Sequence, residues 1–456
     1  MELRTALGGP ARDEPRRVRK LFGTDGVRGV AGEVVTAELA LALARAATAR
    51  VSGGSRARVL VIRDTRESGE MLEAAVAAGI AAAGGEALLG GVLPTPGAPL
   101  EIRRHGYDLG VVLSASHNPF ADNGIKFFGG DGFKLSDATE LEIEAALEQP
   151  PAPAAAIGRV RRLEGVLGDY VDALAERFSG LDLSGRRILL DCANGATYAA
   201  APEIFRRLGA TVEVVAAEPD GRNINAGCGS THVEALAAAV AGGGYDLGFA
   251  FDGDGDRVLA ADRTGTVVDG DELIALAALH LRRCGRLPGD GVAVTVMTNF
   301  GFHQAMAAAG VQVATTDVGD RYVLEALRDR GWTLGGEQSG HIIDTSFVPS
   351  GDGIAAALLS LEALGDGDLA RRGAMEKLPQ VLVNVRLPDR AALSAAVDAL
   401  REDVDRESAA LEGRGRVLVR PSGTEPLVRV MVEAPTREEA DGVCGRLVAL
   451  VGSDPA

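Results

Sequence analysis

A four-residue phrase recurs along this chain and each time opens the same series of parts. Tyr107-Asp-Leu-Gly110 leads into Val-Val-Leu and then the polar run Ser114-Ala-Ser116. Tyr245-Asp-Leu-Gly248 leads into Phe-Ala-Phe and then Asp252-Gly-Asp254. Trp332-Thr-Leu-Gly335, running on to Glu337-Gln-Ser339, is a fainter third copy. Each copy follows a second repeated unit. Apolar strands at Val59–Ile62, Ile188–Leu190 and Val292–Val296 each lead through a polar loop to an Ala-rich helix. The helices close at Gly84/Gly85, Gly209 and Gly310, before further strands such as Thr211–Val215 and Val311–Ala314. Strand, helix and strand at this spacing form the βαβ unit of a mostly parallel sheet. The fold class expected is therefore α/β: three tandem, similar α/β domains with mixed, mostly parallel sheets.

The tail breaks the pattern. Gln380–Leu387, Val417–Arg420 and Val428–Glu433 read as strands, and Ala391–Leu411 and Arg437–Val451 as helices, giving a smaller C-terminal α+β domain. The expected divisions are a disordered tail at 1–17, α/β domains at 18–157, 158–264 and 265–378, and the α+β domain at 379–456. Linkers are expected at Gln149–Ile157, around Asp262–Asp269 and at Lys377–Gln380.

The 456 residues suit about three or four domains. A net charge of −17 argues against a nucleic-acid partner, which needs a basic face. A small anion is still bindable by a few local Arg residues. The four cysteines show no CxxC pair, so they read as free thiols of a reducing, cytoplasmic setting. No stretch reaches the roughly 18 unbroken apolar residues of a membrane span.

Ligands of parallel sheets bind at the carboxyl ends of strands, and the repeated polar loops fall there. Phe251-Asp-Gly-Asp-Gly-Asp-Arg257 places Asp252, Asp254 and Asp256 at alternate positions. In an extended segment these carboxylates converge, and a hard divalent ion with oxygen ligands is the natural occupant. A solvated acidic turn is the plain alternative. An EF-hand is excluded, because its sixth and twelfth positions are here Arg257 and Arg263 rather than Gly and Glu.

Ser116 beside His117, in the loop after Leu109–Leu113, suggests a nucleophile or phosphate carrier, although the G-x-S-x-G hydrolase pattern is absent. Asn123–Phe128 then turns at Gly129–Gly132 and returns as Phe133–Leu135, a hairpin that brings Lys126 beside the serine loop. Phe22–Gly29 packs three glycines around Arg28 and can approach a phosphate closely. Gly335–His341 offers Glu337 and Ser339 to sugar hydroxyls, and His341, with a pKa near about 6.5, can shuttle a proton. Arg420-Pro-Ser422-Gly-Thr424, with Arg429 beyond, has the donors of an anion cradle.

In this order, Phe22–Gly29, Ser114–Pro119, Asp252–Arg257, Gly336–His341 and Arg420–Pro426 resemble the α-D-phosphohexomutase family, from about Val18 to Gly452. The resemblance implies domains around a central cleft, with a phosphoserine carrier at Ser116. It implies one Mg²⁺ per chain, on Asp252, Asp254, Asp256 and a phosphate oxygen of Ser116. It implies a phosphosugar substrate, primed by a hexosamine or hexose 1,6-bisphosphate. Arg420, Ser422, Gly423, Thr424 and Arg429 would grip the phosphate that is not reacting, while Arg257, Glu337 and Ser339 would bind the sugar. Lys126, Arg28, His117 and His341 would handle protons and charge near Ser116. Lys126 is the first choice as general base, which requires its pKa to fall well below about 10.4. Phe120–Phe128, Val318–Val323 and Gln338 point, within the family, to a hexosamine phosphate. Glucose or mannose phosphates, and a metal-dependent serine phosphohydrolase, are the alternatives. The family likeness also favours a homodimer.

Overall fold

The computed structural model describes residues 20–23, 25–53, 55–150, 154–388, 391–421 and 426–451; the tail expected at 1–17 lies outside them. Three sheets follow one plan. Each has a central strand: Arg58–Arg63, Arg187–Asp191 or Gly291–Thr295. On one side lies the strand that follows the Ala-rich helix, namely Glu86–Val92, Thr211–Val215 or Gln312–Thr316, running parallel. On the other side lies the strand of the repeated phrase, Leu109–Leu113, Leu247–Phe251 or Leu334–Gly336, also parallel. That strand passes through a polar loop into an antiparallel neighbour: Asp122–Gly129, Val258–Asp262 or Ile342–Asp344. The three polar loops thus occupy equivalent positions. The tail is an antiparallel sheet in the order Gln380–Arg386, Leu427–Glu433, Arg416–Pro421.

The repeated phrase has a physical cause. Asp108 Oδ2 accepts from the backbone N–H of Arg58, and Asp246 Oδ2 from that of Arg187, both at 2.7 Å. The same two arginines lie over the Tyr107 and Tyr245 rings at 4.7 and 5.1 Å. Tyr and Asp together fix the first residue of the neighbouring strand, and with it the register. The Ala-rich helices end as read. Gly84, Gly209 and Gly310 take φ of +86°, +98° and +69°, the left-handed turn that satisfies a helix C-terminus.

Four details differ from the expectation. Arg159–Arg162 adds a parallel edge strand to the first sheet, beyond the boundary at 157; its four residues are all exposed, so no apolar alternation marked it. Asp262–Asp269 is a hairpin closing Val258–Asp262 on Val267–Val268, and Asp269 forms a capping box with Glu272 at the start of helix Gly270–Arg283. The long tail helix is two, Ala391–Ala399 and Arg401–Ala410, separated at the buried Leu400, with Glu402 and Asp403 favouring a new N-terminus after it. Phe133–Leu135 does not form a returning strand, since only the bridge from Phe128 to Lys134 is made.

One continuous apolar cluster runs from Leu60 and Phe128 of the first sheet through Phe249 and Phe251 of the second to Phe302 and Leu358 of the third. The tail has its own, around Val428, Val430 and Leu447. Among the described residues no helix is long and apolar enough to cross a membrane.

Within the shared core, the Tyr170 hydroxyl donates to Asp352, with both carboxylate oxygens 3.0 Å away, and Asp352 also caps helix Gly353–Leu364 by accepting from Ala355 N–H at 2.9 Å. Burial pushes the Asp352 carboxyl up to about 6. A carboxyl raised on folding stabilises fully below its unfolded pKa, about 3.9, and that contribution is lost as pH rises through the folded value. Asn keeps the Oδ1 that accepts from both Tyr170 and Ala355 N–H, and caps equally well. Asp352→Asn is therefore expected to be more stable than wild type at pH 8, by up to about 3 kcal/mol. The gap should close below about pH 4. Urea midpoints measured across that range check it, and a gap independent of pH would refute the assignment.

Candidate active site

Ser116 ends a chain of constraints that starts in the neighbouring strand. Leu109–Leu113 is buried along its whole length, which fixes the position of the loop that follows. Ser114 Oγ donates to Asp64 Oδ2 at 2.6 Å and accepts from Ser116 N–H at 2.9 Å. The loop's carbonyls are gathered by Arg66, whose side chain is fully buried. Its guanidinium donates to Ser116 O at 3.0 Å, Asn118 O at 2.8 Å and Asp122 O at 2.9 Å, and also to Pro119 O. Nε of Arg66 donates to Asp64 Oδ2 at 2.8 Å. Asn225 Nδ2, from the second α/β unit, reaches Ser116 O at 2.9 Å. So held, Ser116 takes φ of +52°, which costs an L-residue roughly 1–2 kcal/mol. Its hydroxyl donates to Asp252 Oδ2 at 2.5 Å and stands 3.4 Å from His117 Nδ1.

The aspartates do converge, each with a carboxylate oxygen within 4.8 Å of the others, and all are buried. They do so through a tight turn rather than by strand alternation. Gly255 N–H donates to Asp252 O, and Arg257 N–H to Asp252 Oδ1, both at 3.1 Å. Gly255 has φ of +73°. A Cβ on Gly253 would meet Ser116 O at 2.6 Å, so the close approach of the aspartate loop to the serine loop requires glycine there.

The donor set fits a hard divalent cation. Asp254 Oδ1 and Asp256 Oδ1 are buried without a hydrogen-bond partner. Burial, then the charges of Asp256 and Asp254, hold the Asp252 carboxyl well above the usual range. Oxygen ligands crowded against their mutual repulsion are the kind of site that such an ion relieves.

Lys126 reaches this centre differently from the expectation. The pairing of Val112 with Lys126 across two antiparallel strands puts it there, not a hairpin return. Its ammonium lies 2.8 Å from Asp254 Oδ2, 2.9 Å from Asp25 Oδ2 and 3.9 Å from Asp256 Oδ2. Burial opposes its charge, but Asp25, Asp254 and Asp256 outweigh burial and raise its pKa. The lowered pKa expected of a general base is therefore not met: Lys126 is a held cation.

Above this floor opens a cleft of about 520 Å³. Arg28, His117, Asp256 and Arg257 line it from the first two units, Glu337, Ser339 and His341 from the third, and Arg420 and Arg429 from the tail sheet. All four units of the chain thus meet at this cleft, as the resemblance implied. Ser116, Lys126, Asp252 and Asp254 lie beneath, 1 % exposed or less. Glu337 Oε1 accepts from Gly319 N–H at 3.1 Å. His341 Nδ1 is 3.6 Å from Asp256 Oδ2 and its Nε2 is 3.7 Å from Asp320 Oδ2; burial disfavours its cation, but these carboxylates raise its pKa. His117 goes the other way, pushed down to about 4 by burial and then by Arg257 and Arg28. Arg420 and Arg429 are cross-strand partners; burial and then the charge of Arg429 disfavour the Arg420 cation, and an anion between the two would offset that repulsion. Ser422, Gly423 and Thr424 lie outside the described residues.

Sequence reasoning missed Arg66, Asp25, Thr95 and Asn225. Thr95 Oγ1 donates to Asp254 Oδ2 at 2.7 Å. Asp25 joins Arg28, Lys126 and Lys134. A signal existed for Arg66: an acid and a base, two residues apart, just after a strand whose four central residues, Val59–Ile62, are apolar.

The matches to known proteins follow the same division of the chain. Residues 19–153, 168–265 and 269–380 match alpha/beta/alpha domains I, II and III of phosphoglucomutase/phosphomannomutase, and 382–450 match its C-terminal domain. The chain belongs to the phosphoglucomutase/phosphomannomutase family. Within it, the chain is 50 % identical over 445 residues to the phosphoglucosamine mutase of Moorella thermoacetica, covering 94 % of this chain and 98 % of that one. It is 51 % identical over 449 residues to the phosphoglucosamine mutase of a Nocardioides species, covering 95 % and 98 %. A phosphoglucomutase/phosphomannomutase family structure from Burkholderia thailandensis shares the fold, with a TM-score of 0.81 at 23 % identity over 95 % of this chain and 98 % of that one. So does Aspergillus fumigatus N-acetylphosphoglucosamine mutase, in complex with GlcNAc-6P and magnesium, with a TM-score of 0.67 at 18 % identity over 96 % and 97 %.

Proposed function

We propose that this chain interconverts glucosamine 6-phosphate and glucosamine 1-phosphate, through a phosphoserine at Ser116 and a 1,6-bisphosphate intermediate. The observation that carries the chemistry is Ser116 itself, a buried hydroxyl on a strained backbone, 2.5 Å from one of three clustered carboxylates. The substrate is supported by the phosphoglucosamine mutases that match nearly the whole chain.

A hydroxyl of the sugar phosphate takes the phosphoryl group, giving up its proton as its oxygen bonds to phosphorus. The bond from phosphorus to Ser116 Oγ breaks, and Oγ regains a proton. The bisphosphate turns over in the cleft, and its other phosphate returns to Ser116. Asp252, Asp254 and Asp256, with a phosphate oxygen on Ser116, would hold magnesium, which when bound supplies charge neutralisation at the transferring phosphoryl group. Lys126 places fixed positive charge on the same centre, and Arg28 and Arg257 do so from the cleft side. Arg420 and Arg429, which line the cleft from the tail sheet, grip the phosphate that is not reacting, so that one cradle serves both orientations. Glu337 and Ser339 orient the sugar. A hexosamine or hexose bisphosphate charges Ser116 at the outset. The four free cysteines agree with a reducing, cytoplasmic setting.

The test is a comparison of kcat/KM on the 1-phosphates of glucosamine, glucose and mannose, with a bisphosphate primer and Mg²⁺. Preference for the glucosamine compound by at least about tenfold, a difference of about 1.4 kcal/mol in transition-state binding, is expected. A preference for glucose 1-phosphate would move the chain to another substrate of the same family. Stoichiometric phosphate release without isomerisation would replace the mutase by a hydrolase.

A further inference from the structure

Helix Gly97–His105 begins just after Thr95, the residue bonded to Asp254, and ends in a second cluster of metal-ligating side chains. Glu101 and His105 stand four residues apart and so share a helix face. Asp169 meets them from the first turn of helix Val166–Arg177. His105 Nε2 lies 3.2 Å from Glu101 Oε2 and 3.8 Å from Asp169 Oδ2. In a tetrahedral site with bonds of about 2.0–2.1 Å, ligand atoms stand about 3.4 Å apart. His105 Nε2 stands near that spacing from both carboxylates, and all three ligand atoms lie within 4.8 Å of one another.

Glu101 points to a ligand independently of this spacing. Its side chain is 1 % exposed, and Oε1 has no hydrogen-bond partner. A buried carboxylate oxygen left unpaired is unfavourable, and a cation over the cluster satisfies it. His105 is also the last residue of its helix, before the left-handed Gly106, so a cation there meets the negative end of the helix dipole. Arg104 opposes it by charge, but its guanidinium is turned to the Asp169 backbone carbonyl, 3.2 Å away.

We propose that Glu101, His105 and Asp169 form a second metal site, for a borderline divalent transition ion of the zinc class, which ties the first α/β unit to the second. One imidazole with two carboxylates selects such an ion, whereas the all-carboxylate triad suits Mg²⁺. Water completes the coordination on the exposed side, where His105 and Asp169 are 37 % and 42 % exposed.

The probe is Zn²⁺ titrated by calorimetry into the full chain in excess Mg²⁺, which competes for the aspartate triad. Wild type is expected to take up a Zn²⁺ equivalent that His105→Ala and Asp169→Asn lose or bind about tenfold or more weakly. Zn²⁺ should raise the thermal midpoint of wild type and not of these variants. Both change exposed side chains outside the cleft, so their Mg²⁺-dependent turnover should match wild type. Zn²⁺ isotherms that are the same in wild type and both variants would overturn the site, whether they show binding elsewhere or none.

Discussion

Replacing Ser116 by Ala should abolish sugar-phosphate interconversion, with a loss on the order of 10⁴-fold or more, as when a covalent nucleophile is removed elsewhere. The hydroxyl of Ser114, two residues earlier, is already committed to Asp64 and to Ser116 N–H. Folding and chemistry separate cleanly in Ser116→Gly. Glycine adopts φ of +52° without the steric cost that Ser carries there, so this variant should be about 1 kcal/mol more stable than Ser116→Ala, yet equally inactive. Intact mass after incubation with a hexose 1,6-bisphosphate supplies the second readout: wild type gains one phosphate, and neither variant does. Near-normal turnover by Ser116→Ala would end the phosphoserine mechanism.

What could be read in the sequence was whatever rests on contiguous pattern. The Tyr-Asp-Leu-Gly phrase exposed the triplicate sheets because Tyr107, Asp108, Tyr245 and Asp246 act on a fixed place in the neighbouring strand. The glycines after the Ala-rich helices marked their ends because only glycine is cheap in that conformation. The polar loops were visible because each interrupts a wholly apolar run. Arg159–Arg162 was invisible because an exposed edge strand carries no alternation to detect. The ionisation of Lys126 was misjudged for a related reason. A pKa depends on what surrounds a group in space, and Asp25 stands about a hundred residues away in sequence yet 2.9 Å away in the fold. Asn225 and Thr95, which reach the serine and aspartate loops from other parts of the chain, had no local signature at all.

Arg66 is where the largest change in stability is expected. Every donor of its guanidinium is used inside the protein, on Asp64 and on four carbonyl groups between Ser116 and Asp122. Removing it leaves the Asp64 carboxylate, also fully buried, without its counterion. Truncating one partner of a buried pair typically costs about 3–5 kcal/mol, so Arg66→Ala should unfold at markedly lower urea concentration. Arg66→Lys should fall between, since an ammonium restores the charge but not the planar fork that reaches several carbonyls at once. The damage should be local first. Hydrogen exchange should quicken over residues 114–122, and turnover should fall because Ser116 loses the tether on its carbonyl. The combination with Asp64→Asn distinguishes a lost ion pair from lost loop anchoring. If the uncompensated carboxylate dominates, the double variant regains much of the stability lost by Arg66→Ala, with a coupling of about 1–3 kcal/mol. If anchoring the carbonyls dominates, the double variant is no better than the single one and its turnover stays low. Wild-type urea midpoints for both Arg66→Ala and Arg66→Lys would show that the loop holds its shape without the guanidinium, and the positive φ of Ser116 would then need another cause.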